Sequence, residues 1–199
     1  NDTSLQTQEV IGAIVNFSDA DGDTSSVTFR WFVDNVSVVN DTIPTARAGL
    51  SEIPGPVFNN ISGFYSKGQT VRVDVSVNDR SVDGNTLSNS TVVVNTAPSM
   101  SVPVINNTSP IQFSDVLGTS VYTDADDEAG SVTLTWFVNG TLAKTSLLEG
   151  VPNGTTVGLS LESNFTSIGD VLNFTAIASD GSEQSVLVSK SVVVQPLCT

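Results

Sequence analysis

The chain has 199 residues, enough for one large domain or two of about 100, and its 7 Lys+Arg against 21 Asp+Glu leave a net charge of −14. That balance excludes a nucleic-acid partner, whose phosphates need a basic footprint, disfavours anionic membranes and leaves cations as the natural small partners. Histidine is absent and Cys198 is the single cysteine, which excludes Ser-His-Asp and Cys-His catalysis and the zinc sites built on those residues.

The chain opens on polar residues from Asn1, so the reading expects no signal peptide, and a mature chain or one cut from a longer protein. The longest apolar run, "VIGAIV" (Val10–Val15), is far below the ~20 residues of a bilayer span and reads as a buried strand. Next comes "FSDADGD", with Asp19, Asp21 and Asp23 in five positions, and then "VTFRWFV". Period two places Val27, Phe29, Trp31 and Val33 on one face. After the turn at Gly68, "VRVDVSVND" sends Val71, Val73, Val75 and Val77 inward and ends at Asp79. A "VVV" strand (Val92–Val94) and the junction "NTAPS" follow, where Pro98 stiffens the entry to what comes next.

What comes next is the same plan again. "YTDADDEAGSVTLTWFVNG" repeats the acidic loop and the tryptophan strand, so that Asp124 and Trp136 lie 105 residues beyond Asp19 and Trp31 (124 − 19, 136 − 31). Val132, Leu134, Trp136 and Val138 take the inner face; after Gly169, "LNFTAIASD" turns Leu172, Phe174, Ala176 and Ala178 inward and reaches Asp180, and Val192–Val194 closes the copy. No helical period appears. Each copy is about seven short strands between Gly, Asn, Asp and Pro turns. The expected fold is therefore all-β: two tandem β-sandwiches, residues 1–96 and 97–199.

A core Trp on the third strand, a valine-rich sixth strand and the "NTAPS" junction resemble the tandem immunoglobulin-like repeats of prokaryotic, especially archaeal, surface proteins. The related cadherin-like and polycystic-kidney-disease-like repeats share the "DxDGD" before the Trp strand. The resemblance implies immunoglobulin-like sandwiches in an extracellular surface or filament protein. It departs from that class in one respect: Val73 and Phe174 stand where a cross-sheet cysteine often sits, so apolar packing alone must hold each core.

Asn-x-Ser/Thr triplets start at Asn1, Asn16, Asn35, Asn40, Asn60, Asn89, Asn106, Asn107, Asn139, Asn153, Asn164 and Asn173. They predict N-linked glycans and export, with Asn139, Asn164 and Asn173 the foremost sites, although an Asn-, Ser- and Thr-rich chain also yields triplets by chance. Asp19, Asp21, Asp23 and Asp79 in the first copy, and Asp124, Asp126, Asp127, Glu128 and Asp180 in the second, offer the oxygen ligands that calcium takes. The competing reading is that Asp and Gly are good loop residues that bond their own backbone. No cofactor is required by the fold, and calcium is the one this set could take. Carboxylates on loop tips without a sugar-stacking platform argue against a glycosidase, and the chain is read as a non-enzyme.

Pairing "SLQTQEVIG" (Ser4–Gly12) with "PIQFSDVLG" (Pro110–Gly118) at an offset of 106 sets Gln6 on Gln112 and Val10 on Val116. The second copy has "APSMSVPVIN" (Ala97–Asn106) ahead of this segment and the first copy lacks the equivalent strand, so Leu5–Gly12 is expected as its first paired strand. A bare edge is commonly filled by another chain, although a loop or upstream residues could also cover it. The sequence thus favours a glycosylated extracellular subunit that assembles with copies of itself, head to tail, into a filament, sheath or coat. Ser185–Val194 is the expected donor edge, and the lone Cys198 is expected to be an idle thiol. The alternatives are a spacer or binding segment of a large adhesin and, behind it, a carbohydrate-binding module.

Overall fold

A computed structural model of the chain describes residues 4–17, 24–44 and 57–197. The chain divides into two compact units, Asn1–Asn95 and Thr96–Thr199, and each is an all-β sandwich. Among the described residues the one helical element is a single 3-10 turn, Ser163–Phe165, and no helix is long and apolar enough to cross a membrane.

The first unit runs β1 (Leu5–Gln6), β2 (Ile11–Val15), β3 (Ser26–Val33), β4 (Val36–Pro44), β5 (Val57–Ile61), β6 (Thr70–Asn78) and β7 (Leu87–Val94). One sheet has the order β1-β7-β6-β3-β4 and the other is β2-β5. The alternation that selects strands also selects the core. Val27, Phe29, Trp31 and Val33 on β3 and Val71, Val73 and Val75 on β6 are all buried, and Ile61 and Tyr65 close over them. The β3–β4 turn is Asp34-Asn35, with φ of 47° and 67°. Two successive positive values are what a two-residue hairpin needs to match strand twist.

The second unit runs β8 (Ser99–Met100), β9 (Val104–Ile105), β10 (Val116–Thr123), β11 (Gly130–Val138), β12 (Thr141–Val151), β13 (Thr156–Leu161), β14 (Val171–Ser179) and β15 (Val188–Val193). Its sheets are β12-β11-β14-β15 and β13-β10-β8, with β9 also on β10. Trp136 and Phe174 are fully buried, their ring centroids 5.0 Å apart and tilted by 50°. A Cβ on Gly118 would lie 2.5 Å from the Phe174 ring. Strand β10 therefore carries glycine where the large ring passes.

The hydrogen bonds correct the repeat register. Glu9 N donates to Gln6 O, as Ser114 N does to Ile111 O, and Gln8 and Phe113 share the left-handed conformation (φ 69° and 62°). Ile11 pairs with Ile61 as Val116 pairs with Leu161. The structural offset through this segment is thus 105, and Gln6 corresponds to Ile111, Ile11 to Val116 and Ala13 to Gly118. The one-residue shift moves side chains to opposite faces: Val10 and Ile14 are 65% and 66% exposed, whereas Ile11, Ala13, Val15 and Phe17 pack toward the core.

Leu5–Gly12 is also not one strand. Leu5 and Gln6 run parallel to Val93 and Val94 on the larger sheet; the chain then turns at Thr7–Gln8 and crosses to the smaller one. Parallel pairing of Ile111 with Gln195 is the counterpart in the second unit. What the first unit lacks among its described residues is therefore narrower than a whole N-terminal strand. It lacks the partner of β2 on the side away from β5.

Candidate functional site

Two features stand out as sites, the acidic loop and the edge of β2. In the second unit β10 delivers Asp124 to the sandwich interior, where it is only 4% exposed. Its N–H donates to Asn153 Oδ1 (2.9 Å), and its Oδ1 accepts from Asp126 N (2.7 Å). The Tyr122 hydroxyl, one residue-pair back on the same inner face, lies 3.4 Å from Asp124 Oδ2 and 3.1 Å from Glu128 O. Gly130 permits this approach, since a Cβ there would fall 2.6 Å from the Tyr122 hydroxyl. After β14, Asp180 Oδ1 accepts from Ser182 N (2.6 Å) and Glu183 N (2.7 Å).

The carboxylates of Asp124, Glu128 and Asp180 each offer an oxygen within 4.8 Å of the others. Burial pushes the Asp124 carboxyl above the usual range; the Asp126 N–H pulls it back, and the negative charges of Asp126 and Asp180 raise it further. Burial and the Asp124 carboxylate push the Tyr122 phenol up to about 12. An oxygen-only set of three carboxylates suits a hard cation such as calcium, and a cation there would offset the repulsion among them.

Not every predicted ligand joins this set. Asp126 Oδ2 accepts from Thr96 N (2.7 Å), and its buried Oδ1 has no hydrogen-bond partner. Asp127 is exposed, takes a left-handed φ of 61° and accepts from Asn153 Nδ2 (2.9 Å). Sequence reasoning missed Tyr122 and Asn153. Tyr122 was legible as an inward position of β10, whereas Asn153 was masked by its reading as a glycan site. In the first unit Asp19, Asp21 and Asp23 lie outside the described residues, as does Cys198. Asp79 Oδ1 accepts from Ser81 N (2.8 Å) and Val82 N (2.6 Å), and those two bonds hold its carboxyl below the usual range. Asp79 and Asp180 are thus the same turn-closing residue in two copies.

Of the eleven triplet asparagines in described segments, Asn16, Asn35, Asn40, Asn60, Asn89, Asn106, Asn139, Asn153 and Asn164 are exposed, and Asn107 and Asn173 are half-buried. Exposure alone does not leave an amide idle. Asn139 Oδ1 accepts from Val171 N (2.9 Å) and its Nδ2 donates to Asp170 Oδ1 (2.8 Å). In the first unit Asp34 Oδ1 accepts from Thr70 N (2.9 Å) and Oδ2 from Gln69 Nε2 (3.0 Å). Carboxylate and amide have exchanged places between the copies, and the brace survives. Asn139 therefore has a structural reason to be asparagine, independent of any glycan.

The edge of β2 is the second site. Residues 11–15 pair with β5, and among the described residues no strand lies on the other side. The counterpart β10 is flanked on both sides: by β13, and by β8 and β9, with Ile105 opposite Gly118 and Met100 opposite Tyr122. Met100 and Ile105 are 7% and 5% exposed and belong to the core. Equivalent core positions are less covered in the first unit: Val73 is 9% exposed where Phe174 is 0%, and Ile11 and Phe17 are half-buried where Val116 and Tyr122 are buried.

No family model matches the sequence, and no curated protein matches it. Among solved structures the chain is similar to the fibronectin(III)-like modules of Clostridium thermocellum CbhA, at 12% identity over 97% of this chain and 89% of that one, with a TM-score of 0.35. It is also similar to the chicken CNTN1 FN1–FN3 domains, at 8% identity over 97% and 65% of the two chains and a TM-score of 0.33. A two-domain fibronectin type III segment of chicken tenascin matches at 12% identity over 96% and 95%, with a TM-score of 0.41.

Proposed function

We propose that this chain is a non-enzymatic structural subunit of an extracellular, prokaryotic and above all archaeal surface assembly, related to the cadherin-like and polycystic-kidney-disease-like repeats. Copies join head to tail by strand pairing into a filament, sheath or coat, and N-linked glycans decorate the outer faces. The observation that carries this reading is that β2, among the described residues, is paired on one side only, whereas its counterpart in the second unit is covered by Ser99–Ile105. An edge of unpaired N–H and C=O groups over a partly covered core is a template for another chain. A contact between different surfaces of successive copies propagates into open fibres unless its rotation closes a ring.

Exposure of nine of eleven described triplet asparagines supports the glycoprotein reading. The absence of histidine and the single cysteine support the non-enzyme reading. Calcium held by Asp124, Glu128 and Asp180 would stiffen the second unit without chemistry of its own. Electron microscopy and sedimentation of the native material test the assembly. Filaments or sheets are expected. A monomer at every concentration would overturn the assembly and leave a spacer within a surface adhesin.

A further inference from the structure

We propose that β2 is a receptor edge for an extended segment that belongs to no other sheet, antiparallel to β2 and apolar on its inward face. This deepens the assembly reading and rests on it for one point, that the segment comes from a neighbouring molecule.

The second unit shows what such a segment must be. Asn106 N donates to Leu117 O (3.0 Å) and Ser101 N to Val121 O (2.9 Å), while Leu117 N and Val121 N donate to Asn106 Oδ1 and Ser101 Oγ. Tyr122, of the other parity, has its N–H on Thr155 O and its C=O on Gly154 N, on the opposite side. Transferred at the offset of 105, the groups facing the open edge are those of Gly12, Ile14 and Asn16. The donor's inward side chains then stand opposite Ala13 and Phe17, where Ile105 and Met100 stand against Gly118 and Tyr122.

A folded edge cannot supply those side chains. Strand β15, the donor edge that the sequence suggests, already commits Val192 to its own core at 7% exposure. Pairing β15 with β2 would extend a sheet but leave Ala13 and Phe17 without the inward partners that Ile105 and Met100 give Gly118 and Tyr122. A free segment can do both, because alternate side chains point inward while the backbone pairs.

The receptor edge is also unguarded. Exposed edges are commonly blunted by charge or proline; β4 carries Asp41 and Pro44, and β12 carries Lys144 and Glu149. Strand β2 reads Ile-Gly-Ala-Ile-Val and carries neither. The segment "APSMSVPVIN" that covers the equivalent edge is likewise uncharged, so pairing meets no opposing charge from either strand and should be insensitive to salt.

The test adds a synthetic peptide of the Ala97–Asn106 sequence to the monomeric fraction of the full chain and follows amide hydrogen exchange. Exchange at Gly12, Ile14 and Asn16 is expected to slow at least about tenfold on saturation, since each gains a hydrogen-bonded partner. A permuted peptide of the same composition should have no effect. Ile14→Pro removes an N–H that points away from β5, a place where an edge strand tolerates proline, and should abolish the protection while the unfolding transition survives. Protection of these amides in the chain alone, no protection by the peptide, or equal protection by the permuted peptide would each overturn the proposal. Peptide binding without filaments would instead overturn the assembly reading, and filaments without peptide protection would place the subunit contact elsewhere.

Discussion

Replacing Gly118 with alanine probes the core of the second unit. The new Cβ would sit 2.5, 2.6 and 2.8 Å from three atoms of the Phe174 ring, and the ring is backed by Trp136 at 5.0 Å, so it has little room to retreat. Overpacking of this kind costs about 1–3 kcal/mol. A Gly→Ala change at an ordinary strand conformation returns about 0.4–1 kcal/mol through the unfolded chain, which leaves a net loss of about 1–2 kcal/mol. Phe174→Val alone opens a cavity and should cost about 2–4 kcal/mol, somewhat below the range for Phe→Ala. The first unit already holds the pair Ala13 and Val73 at these two positions. Gly118→Ala combined with Phe174→Val should therefore cost no more than Phe174→Val alone, a coupling of at least about 1 kcal/mol. Calorimetry reads this as a shift of about 4–8 °C per kcal/mol for a domain of about 100 residues. A neutral Gly118→Ala, or a double variant additive within about 0.5 kcal/mol, would refute the packing argument.

Asn139→Asp should lower the stability of the second unit by about 1–2 kcal/mol, because it faces the Asp170 carboxylate with another acceptor; Asp170→Gln should restore it, copying Asp34 and Gln69, as urea unfolding of the single and double variants would show. Because Asp124 has a raised folded-state pKa, the folded state binds more protons just above the unfolded-state value near 4. Stability of the second unit should then fall as pH rises from about 4 through the folded pKa, and Asp124→Asn should flatten that slope. Millimolar calcium should raise the melting temperature at pH 7 more than at pH 4.5, and Asp180→Asn should remove that gain. Intact mass of the native protein should exceed the bare 20.8 kDa, with glycopeptides mapping to exposed triplets such as Asn60 and Asn164.

The fold was legible wherever one face of a strand is buried. Trp31 and Trp136 sit on clean period-two runs, and a strand so patterned has one way to face its core. The β2 register was not legible, because chance identities, Gln6 with Gln112 and Gly12 with Gly118, outweighed the face pattern. The left-handed residues Gln8 and Phe113 that set the true alignment share no residue type. The acidic site was half legible. Spacing puts Asp124 and Asp180 at one end of the sandwich. It cannot say that Asp126 is spent on the Thr96 N–H and Asp127 on Asn153, since those depend on how the backbone turns between β10 and β11.

The aspartates in the end loops that follow β6 and β14 have a structural explanation that precedes any ligand. Each loop must reverse direction at the end of a sandwich where backbone N–H groups have no strand to bond. A single carboxylate oxygen can serve two of them at once, as Asp180 Oδ1 does for Ser182 and Glu183 and Asp79 Oδ1 does for Ser81 and Val82. That requirement recurs with every copy of the fold, and so do the aspartates. Asp124 differs from these turn aspartates in being only 4% exposed, and burial is the leading cause of its raised pKa. A buried carboxylate between two others is the arrangement in which a bound cation would return the most stability. The calcium dependence of the second unit, measured against that of Asp180→Asn, is therefore the measurement that separates a turn from a site.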